Sequence, residues 1–263
     1  MITGGSRGIG YELAKCFARD GYDLVLVASN EHTLSDAAAE IGAKFGVRVH
    51  SIVQDLSKPE GAGRLYSALE ERGLAVDVLV NDAGFGTYGP FASSDLHRML
   101  DMLTLNVESL TVLTRLLLPR MLERGQGRIL NVGSMAGFQP GPLMALYYAT
   151  KAFVLSFSEA LANEVSASGV HVSVLCPGPT RTGFQSRAGI GGALFRRGVM
   201  DASRVAETGY RDFQRGRITI VPGFRNKVLA FAVRLAPRTV VPGIVRRLQE
   251  KRLEPSEHIA PLK

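Results

Sequence analysis

Six short runs of β-branched and aliphatic residues recur along the chain, at Asp23–Ala28, Val47–Val53, Val76–Val80, Arg128–Val132, Val170–Leu175 and Arg217–Val221. Amphipathic stretches lie between them: Gly8–Asp20, Leu34–Phe45, Pro59–Arg72, Leu96–Leu118 and Leu146–Ser166. Near-continuous apolar strands must be covered on both faces, and helices that alternate with them can do so only around a parallel sheet. The alternation therefore predicts an α/β fold, a single doubly wound parallel sheet with helices on both faces. Ligands of such sheets sit outside the C-terminal strand ends, at the point where the strand order reverses. The 263 residues suffice for one such domain, with a body over 1–223 and a basic helical extension over 224–263.

Chemistry begins at the first loop. Thr3-Gly4-Gly5-Ser6-Arg7-Gly8-Ile9-Gly10 opens the helix Gly8–Asp20. Glycines at Gly4, Gly8 and Gly10 let the backbone turn tightly and approach a pyrophosphate, whose charge the helix N-terminus favours. The spacing, Gly-x3-Gly-x-Gly, is not the fingerprint of most dinucleotide-binding dehydrogenases, and an ordinary tight turn would read the same way. Later strands end on Asn81-Asp82-Ala83-Gly84, on Ser134 and on Pro177-Gly178. Tyr147 follows thirteen residues after Ser134, and Lys151 stands four residues further on. On one helix that spacing puts both side chains on the same face.

A free phenol with a pKa near ~10 is a poor base at neutral pH. Bringing it to roughly 7 takes about 4 kcal/mol of differential stabilisation. The ammonium of Lys151 is a suitable source of that field, and Ser134 can donate to an oxygen on which charge develops. Taken singly, Ser134 is equally a helix cap.

This set resembles the short-chain dehydrogenase/reductase family, in motif, order and spacing, from Thr3 to about Thr182. Beyond Thr182 only a general substrate-loop and last-strand pattern continues the likeness. The resemblance implies a Rossmann-like, NADP(H)-binding and catalytic body with a substrate-covering loop at about 184–200. It implies a hydride moved between nicotinamide and a carbonyl or secondary alcohol, with Ser134, Tyr147, Lys151 and Asn106 as the catalytic set. In that set Tyr147 and Lys151 also contact the nicotinamide ribose, the positive oxidised nicotinamide helps ionise the phenol, and Asn106 holds a water linking Lys151 to solvent. Tyr148 is a decoy, since only Tyr147 has the four-residue spacing to Lys151. The remaining cofactor contacts implied are Gly4, Ser6, Arg7, Gly8, Ile9, Gly10, Asn81, Ala83, Gly84, Pro177, Gly178, Thr180 and Thr182, with Asp55 and Leu56 on adenine.

Cofactor choice turns on Val27-Ala28-Ser29-Asn30, which carries no acid before Glu31. An acid there would hold a ribose 2′-hydroxyl and repel a 2′-phosphate. Arg7 and Ser29 suit the phosphate instead, and Asn30 lies beside them, so NADP(H) is preferred and NAD(H) allowed. The family also implies a homodimer or homotetramer through the helices around Leu96–Leu118 and Leu146–Ser166. A nucleotide-sensing binding protein on the same fold is the alternative to an enzyme, and a sensor would need no Ser–Tyr–Lys set.

Other features bound the reading. Cys16 and Cys176 lie far apart in apolar contexts, as reduced core thiols of a cytoplasmic protein do. The five histidines, His32, His50, His97, His171 and His258, show no ligand spacing, so no metal is expected. No signal peptide precedes the glycine loop and no apolar stretch reaches a membrane-spanning length. Only Met1 and Ile2 stand where a full first strand is expected, so either the true start lies upstream or the fold tolerates a stub. A stub would leave neighbouring backbone groups unpaired.

Charge is uneven. Residues 1–180 hold 14 Lys/Arg against 18 Asp/Glu, whereas residues 181–263 hold 17 against 6. A solvated tail explains this, and so does attraction to an anionic substrate, an acidic carrier or a membrane surface. Nucleic acid is not expected, because no aromatic-basic platform accompanies the charge. In the extension, Lys227–Leu235 sets Val228, Leu229, Phe231, Ala232 and Leu235 opposite Lys227 and Arg234, an amphipathic helix for packing on the domain, on a subunit or on a membrane. The substrate expected is a hydrophobic ketone, an acyl or steroid-like alcohol, or an aldehyde.

Overall fold

The computed structural model describes residues 1–184, 188 and 199–250. Strands β1 (Ile2–Thr3), β2 (Leu24–Ala28), β3 (Val49–Val53), β4 (Val78–Asn81), β5 (Gly127–Val132), β6 (Val170–Leu175) and β9 (Thr219–Ile220) form one sheet in the order β3-β2-β1-β4-β5-β6-β9. Every pair in it is parallel. A second, two-stranded sheet joins β7 (Thr180–Arg181) to β8 (Met200–Asp201), which the sequence pattern did not reveal.

The apolar runs divide by parity, as the two-residue repeat of a strand requires. Leu24 and Leu26 face one core with Ile2, Val80 and Leu130; Val25 and Val27 face the other with Leu79 and Ile129. Helices α1 (Gly8–Arg19), α2 (Glu31–Phe45) and α7 (Ala202–Gln214) cover the first face through Leu13, Phe17, Leu34, Ile41, Val205 and Phe213. Helices α3 (Gly61–Glu71), α5 (Leu110–Glu123) and α6 (Ala145–Glu164) cover the second through Leu65, Leu113, Met121 and Leu161. Both faces are closed, so the doubly wound expectation holds.

Three local findings refine it. Leu96–Leu118 is not one helix. Helix α4 (Leu96–Leu103) runs into a π-helical turn at Thr104–Ser109 before α5 begins. Strand β1 pairs Ile2 and Thr3 with Leu26 and Val27 on one side and with Val80 and Asn81 on the other. The chain order reverses across β1 and β4, which puts the switch point between the glycine loop and Asp82.

The extension folds as α8 (Phe224–Leu235) and α9 (Val241–Glu250). The expected substrate loop at 184–200 falls almost wholly outside the described residues, as do residues 251–263.

Candidate functional site

One large cleft of about 880 Å³ opens at the C-terminal strand ends. Its floor is the glycine loop. Gly4 and Gly8 hold φ of +70° and +63°, left-handed values that disfavour other residues. A Cβ on Gly4 would stand 3.0 Å from the Ala83 nitrogen, and one on Gly8 would meet the Thr182 side chain at 3.4 Å. Arg7 precedes α1 in extended conformation, and its side chain makes no capping bond. Gly8 and Ile9, the first two residues of α1, line the cleft, and their amides receive no cap from Arg7, which suits an anion-binding helix start. Asp82 accepts from the Gly10 amide at 2.9 Å and anchors the loop from the switch-point side.

The catalytic candidates meet at the other end. Ser134 leaves β5 in extended conformation and starts the short turn Met135–Phe138, where its Oγ accepts from the Ala136 amide at 3.1 Å. It is a cap, and its hydroxyl lies close enough to the Tyr147 phenol to act on its ionisation. Lys151, one turn after Tyr147 on α6, is buried and donates from Nζ to the Val132 carbonyl at 2.8 Å. Its Nζ stands 6.0 Å from the centre of the Tyr147 ring. Burial pulls the Lys151 ammonium down to about 8, against the opposing pull of Asp82. Burial also pushes the Tyr147 phenol up, while the neighbouring Ser134 hydroxyl pulls it down. The ionisation expected of Tyr147 therefore has to be driven by positive charge close to it.

Asn106 sits in the π-helical turn and is 2 % exposed. Its Nδ2 donates to the Phe85 carbonyl at 2.9 Å and to Thr150 Oγ1 at 3.1 Å, and its Oδ1 accepts from the Phe85 amide at 3.1 Å. Among the bonds described it reaches the loop after β4 and not Lys151. The two are near neighbours: a Cβ on Gly84 would come within 3.0 Å of Asn106 Oδ1 and 3.6 Å of Lys151 Nζ.

Of the expected cofactor contacts, Gly4, Ser6, Arg7, Gly8, Ile9, Ser29, Asn30, Asp55, Leu56, Ala83, Gly84, Tyr147, Lys151, Pro177, Gly178, Thr180 and Thr182 line this one cleft. Arg7 and Ser29 are exposed in it. Asn30 and Asp55 have structural bonds as well. Asn30 Oδ1 caps α2 through the Thr33 amide at 2.9 Å, and Asp55 Oδ1 accepts from the amide and the hydroxyl of Ser57. Asn81 and Gly10 are not among the lining residues. Asn81 turns inward, its Nδ2 donating to Asn131 at 2.9 Å, and Asn131 donates in turn to Ser158 at 2.9 Å. Gly10 serves packing, since a Cβ there would stand 2.6 Å from Asp82.

The family model described as short chain dehydrogenase matches residues 1–190. The chain belongs to that family.

The short-chain dehydrogenase is 38 % identical over 182 residues to a very-long-chain 3-oxoacyl-CoA reductase of Anas platyrhynchos, covering 67 % of this chain and 58 % of that protein. It thus spans little more than half of the relative. A solved structure, a short-chain dehydrogenase from Sphingobium yanoikuyae in complex with NADPH, is 32 % identical with a TM-score of 0.80, over 98 % of this chain and 97 % of that one. The bulky-bulky ketone specific alcohol dehydrogenase from Comamonas testosteroni is 27 % identical, with a TM-score of 0.76 over 98 % and 95 % of the two chains.

The sequence missed how the extension joins the cleft. Asn226, Leu229, Ala232 and Val233 of α8, and Val241, Ile244, Val245 and Leu248 of α9, all line it. Tyr148, the decoy, turns to α9, where its hydroxyl accepts from Gln249 Nε2 at 2.7 Å. The amphipathic face expected over Lys227–Leu235 is in fact two. Leu229 and Ala232 look into the cleft, whereas Val228, Phe231 and Leu235, together with Phe224, are exposed. Among the described residues no cluster of metal-ligating side chains occurs, and both cysteines are free and buried.

Proposed function

We propose that the chain is an NADP(H)-preferring oxidoreductase that reduces the carbonyl of a hydrophobic or acyl-type substrate, or oxidises the matching alcohol. The observation that carries this reading is the convergence of Ser134, Tyr147 and Lys151 at one end of a cleft whose other end is the glycine loop. The loop fits a dinucleotide: two left-handed glycines and a helix start that Arg7 does not cap leave the Gly8 and Ile9 amides to a pyrophosphate. Arg7 and Ser29, with no acid at the end of β2, favour a 2′-phosphate. The NADPH in the Sphingobium yanoikuyae structure supports the same choice, and the reductase names of the relatives support an acyl carbonyl.

When bound, the reduced nicotinamide supplies a hydride to the carbonyl carbon. The protein's own groups handle the oxygen. Ser134 donates a hydrogen bond to it as negative charge develops. Tyr147 gives it a proton, so hydride and proton together make the alcohol. Lys151, held by Val132, stabilises the phenolate that Tyr147 becomes. Asn106 fixes the loop beside Lys151 through its three bonds to Phe85 and Thr150.

The outer stripe of α8 supports a peripheral membrane contact. Phe224, Val228, Phe231 and Leu235 are 80, 49, 64 and 73 % exposed. Their spacing of four, three and four residues makes one face, with Arg225 on one side of it and Lys227 and Arg234 on the other. No described helix is long and apolar enough to cross a membrane. Exposed Leu96 and Leu100 on α4 and Phe153 on α6 favour a homo-oligomer in the same way.

The test is a panel of ketones, aldehydes, 3-oxoacyl thioesters and alcohols, followed by nicotinamide absorbance with both cofactors. Turnover of hydrophobic carbonyls with NADPH is the expected result. Tight NADPH binding with no turnover across the panel would favour the nucleotide-sensing alternative.

A further inference from the structure

Leu229 of α8 and Ile244 and Leu248 of α9 are 55, 51 and 56 % exposed, yet each lines the catalytic cleft. Side chains that meet both solvent and the cleft mark its mouth, and this mouth is apolar. Inward from it, Val233, Val241 and Val245 share one apolar cluster with Met144, Tyr148, Phe184 and Tyr147. A continuous apolar wall therefore runs from the surface to the phenol. Along α9 it extends from Val241 to Leu248, about 10 Å at 1.5 Å per residue. Of the cleft-lining residues on the two helices, only Asn226 is polar.

The wall is fixed in place. Gln249 is 1 % exposed, and a buried amide is costly unless it is bonded. Its Nε2 donates to Tyr148 at 2.7 Å, and its main-chain carbonyl accepts from the Tyr88 hydroxyl at 3.1 Å. With Val241 and Val245 it makes the one buried stripe of α9. These tethers leave Ile244 and Leu248 to face the mouth. A wall that is long, apolar and anchored at its far end suits a narrow apolar group with one reactive end.

We propose that α9 and the facing side of α8 bind an extended aliphatic chain of the substrate, whose carbonyl end lies between Ser134 and Tyr147. This deepens the carbonyl-reductase reading and rests on it. The chain leaves the site between Leu229, Ile244 and Leu248.

The experiment uses methyl ketones from hexanone to tetradecanone with the full chain and NADPH, and reads turnover and calorimetric binding separately. In the wild type, kcat/KM should rise two- to fourfold with each added methylene, the worth of a CH₂ moved out of water, until the wall is filled. The double variant Ile244→Asp, Leu248→Asp changes half-exposed side chains at the mouth, and a circular dichroism melt checks that it folds. It should lose most of that slope for the longer ketones, in both readouts. Flat wild-type slopes, or an unchanged slope in the double variant, would overturn the chain site. Length-dependent binding without any turnover would overturn the reductase reading and leave the chain site standing.

Discussion

Lys151 donates from Nζ to the Val132 carbonyl, so the last residue of β5 fixes the ammonium beside the Tyr147 ring. Burial has pulled that ammonium down to about 8. In the proposed mechanism carbonyl reduction needs Lys151 charged and Tyr147 protonated, and both conditions fail in the same direction as pH rises. The kcat/KM for the carbonyl substrate should therefore hold below about pH 8 and fall above it. A pH profile measured at saturating NADPH checks this. A profile level to pH 10 would show that the charge of Lys151 is not required.

Tyr147→Phe removes only the hydroxyl and keeps the tilted ring contact with Phe184. Turnover should fall by roughly 10²–10⁴-fold, the contribution of a positioned general acid. NADPH binding, followed by fluorescence, should be nearly unchanged. Retention of more than about a tenth of wild-type kcat would move the proton-transfer role elsewhere.

Arg7→Ala separates the two cofactors. Arg7 is exposed at the glycine-loop end of the cleft, so its removal should cost NADPH about 1.5–3 kcal/mol, the scale of a charge-assisted hydrogen bond. NADH, which lacks the 2′-phosphate, should lose little. Dissociation constants for both cofactors decide the matter. Equal losses would put Arg7 on the shared pyrophosphate.

The strands and their alternation were legible because a parallel strand buried on both faces is apolar along its whole length, as Leu24–Ala28 is. That Ser134, Tyr147 and Lys151 line one cleft was legible because their order and spacing are carried by the sequence. Other features left no such trace. The π-helical turn at Thr104–Ser109 shifts the apolar period over a single turn, too short a span to distort the pattern of Leu96–Leu118. Asn81 stands in a recognisable motif, but its side chain points inward to Asn131, and sequence does not give that direction. The extension was expected to be helical, but the place of α9 in the cleft wall left no trace, because its buried stripe ends on Gln249, whose partners Tyr148 and Tyr88 lie 101 and 161 residues away. Only the fold brings them together.

The inward turn of Asn81 gives a stability prediction. Asn131 accepts from Asn81 and donates to Ser158, which ties β4, β5 and α6 together inside the core. Asn131→Leu keeps much of the volume but leaves the Asn81 amide without that acceptor. The loss should be about 1–3 kcal/mol in chemical denaturation, the cost of an unsatisfied buried polar group. Asn81→Leu, Asn131→Leu together should recover part of it, because replacing both partners removes the orphan. A double variant as unstable as the sum of the two singles would mean that packing dominates here.

The exposed stripe of α8 makes the last prediction. Phe224, Val228, Phe231 and Leu235 face away from the cleft, so their exposure is not explained by substrate. Between Phe224 and Glu250, Arg225, Lys227, Arg234, Arg238, Arg246 and Arg247 are opposed by one acid, Glu250. Each such cation contributes about 1 kcal/mol near an anionic lipid surface, and the effect fades within a Debye length of ~10 Å at 0.1 M salt. Co-sedimentation with phosphatidylserine-containing vesicles should therefore be strong at low salt and weak at high salt, with neutral vesicles binding poorly throughout. Lys227→Gln, Arg234→Gln, Arg246→Gln and Arg247→Gln combined should abolish the preference for anionic lipid. Phe231→Ser with Leu235→Ser should weaken binding at every salt concentration, because those side chains would otherwise leave water for the acyl boundary. If the wild type ignores anionic vesicles at low salt, the stripe is not a membrane contact, and a concentration-dependent change in sedimentation coefficient would then assign it to a second copy of the chain.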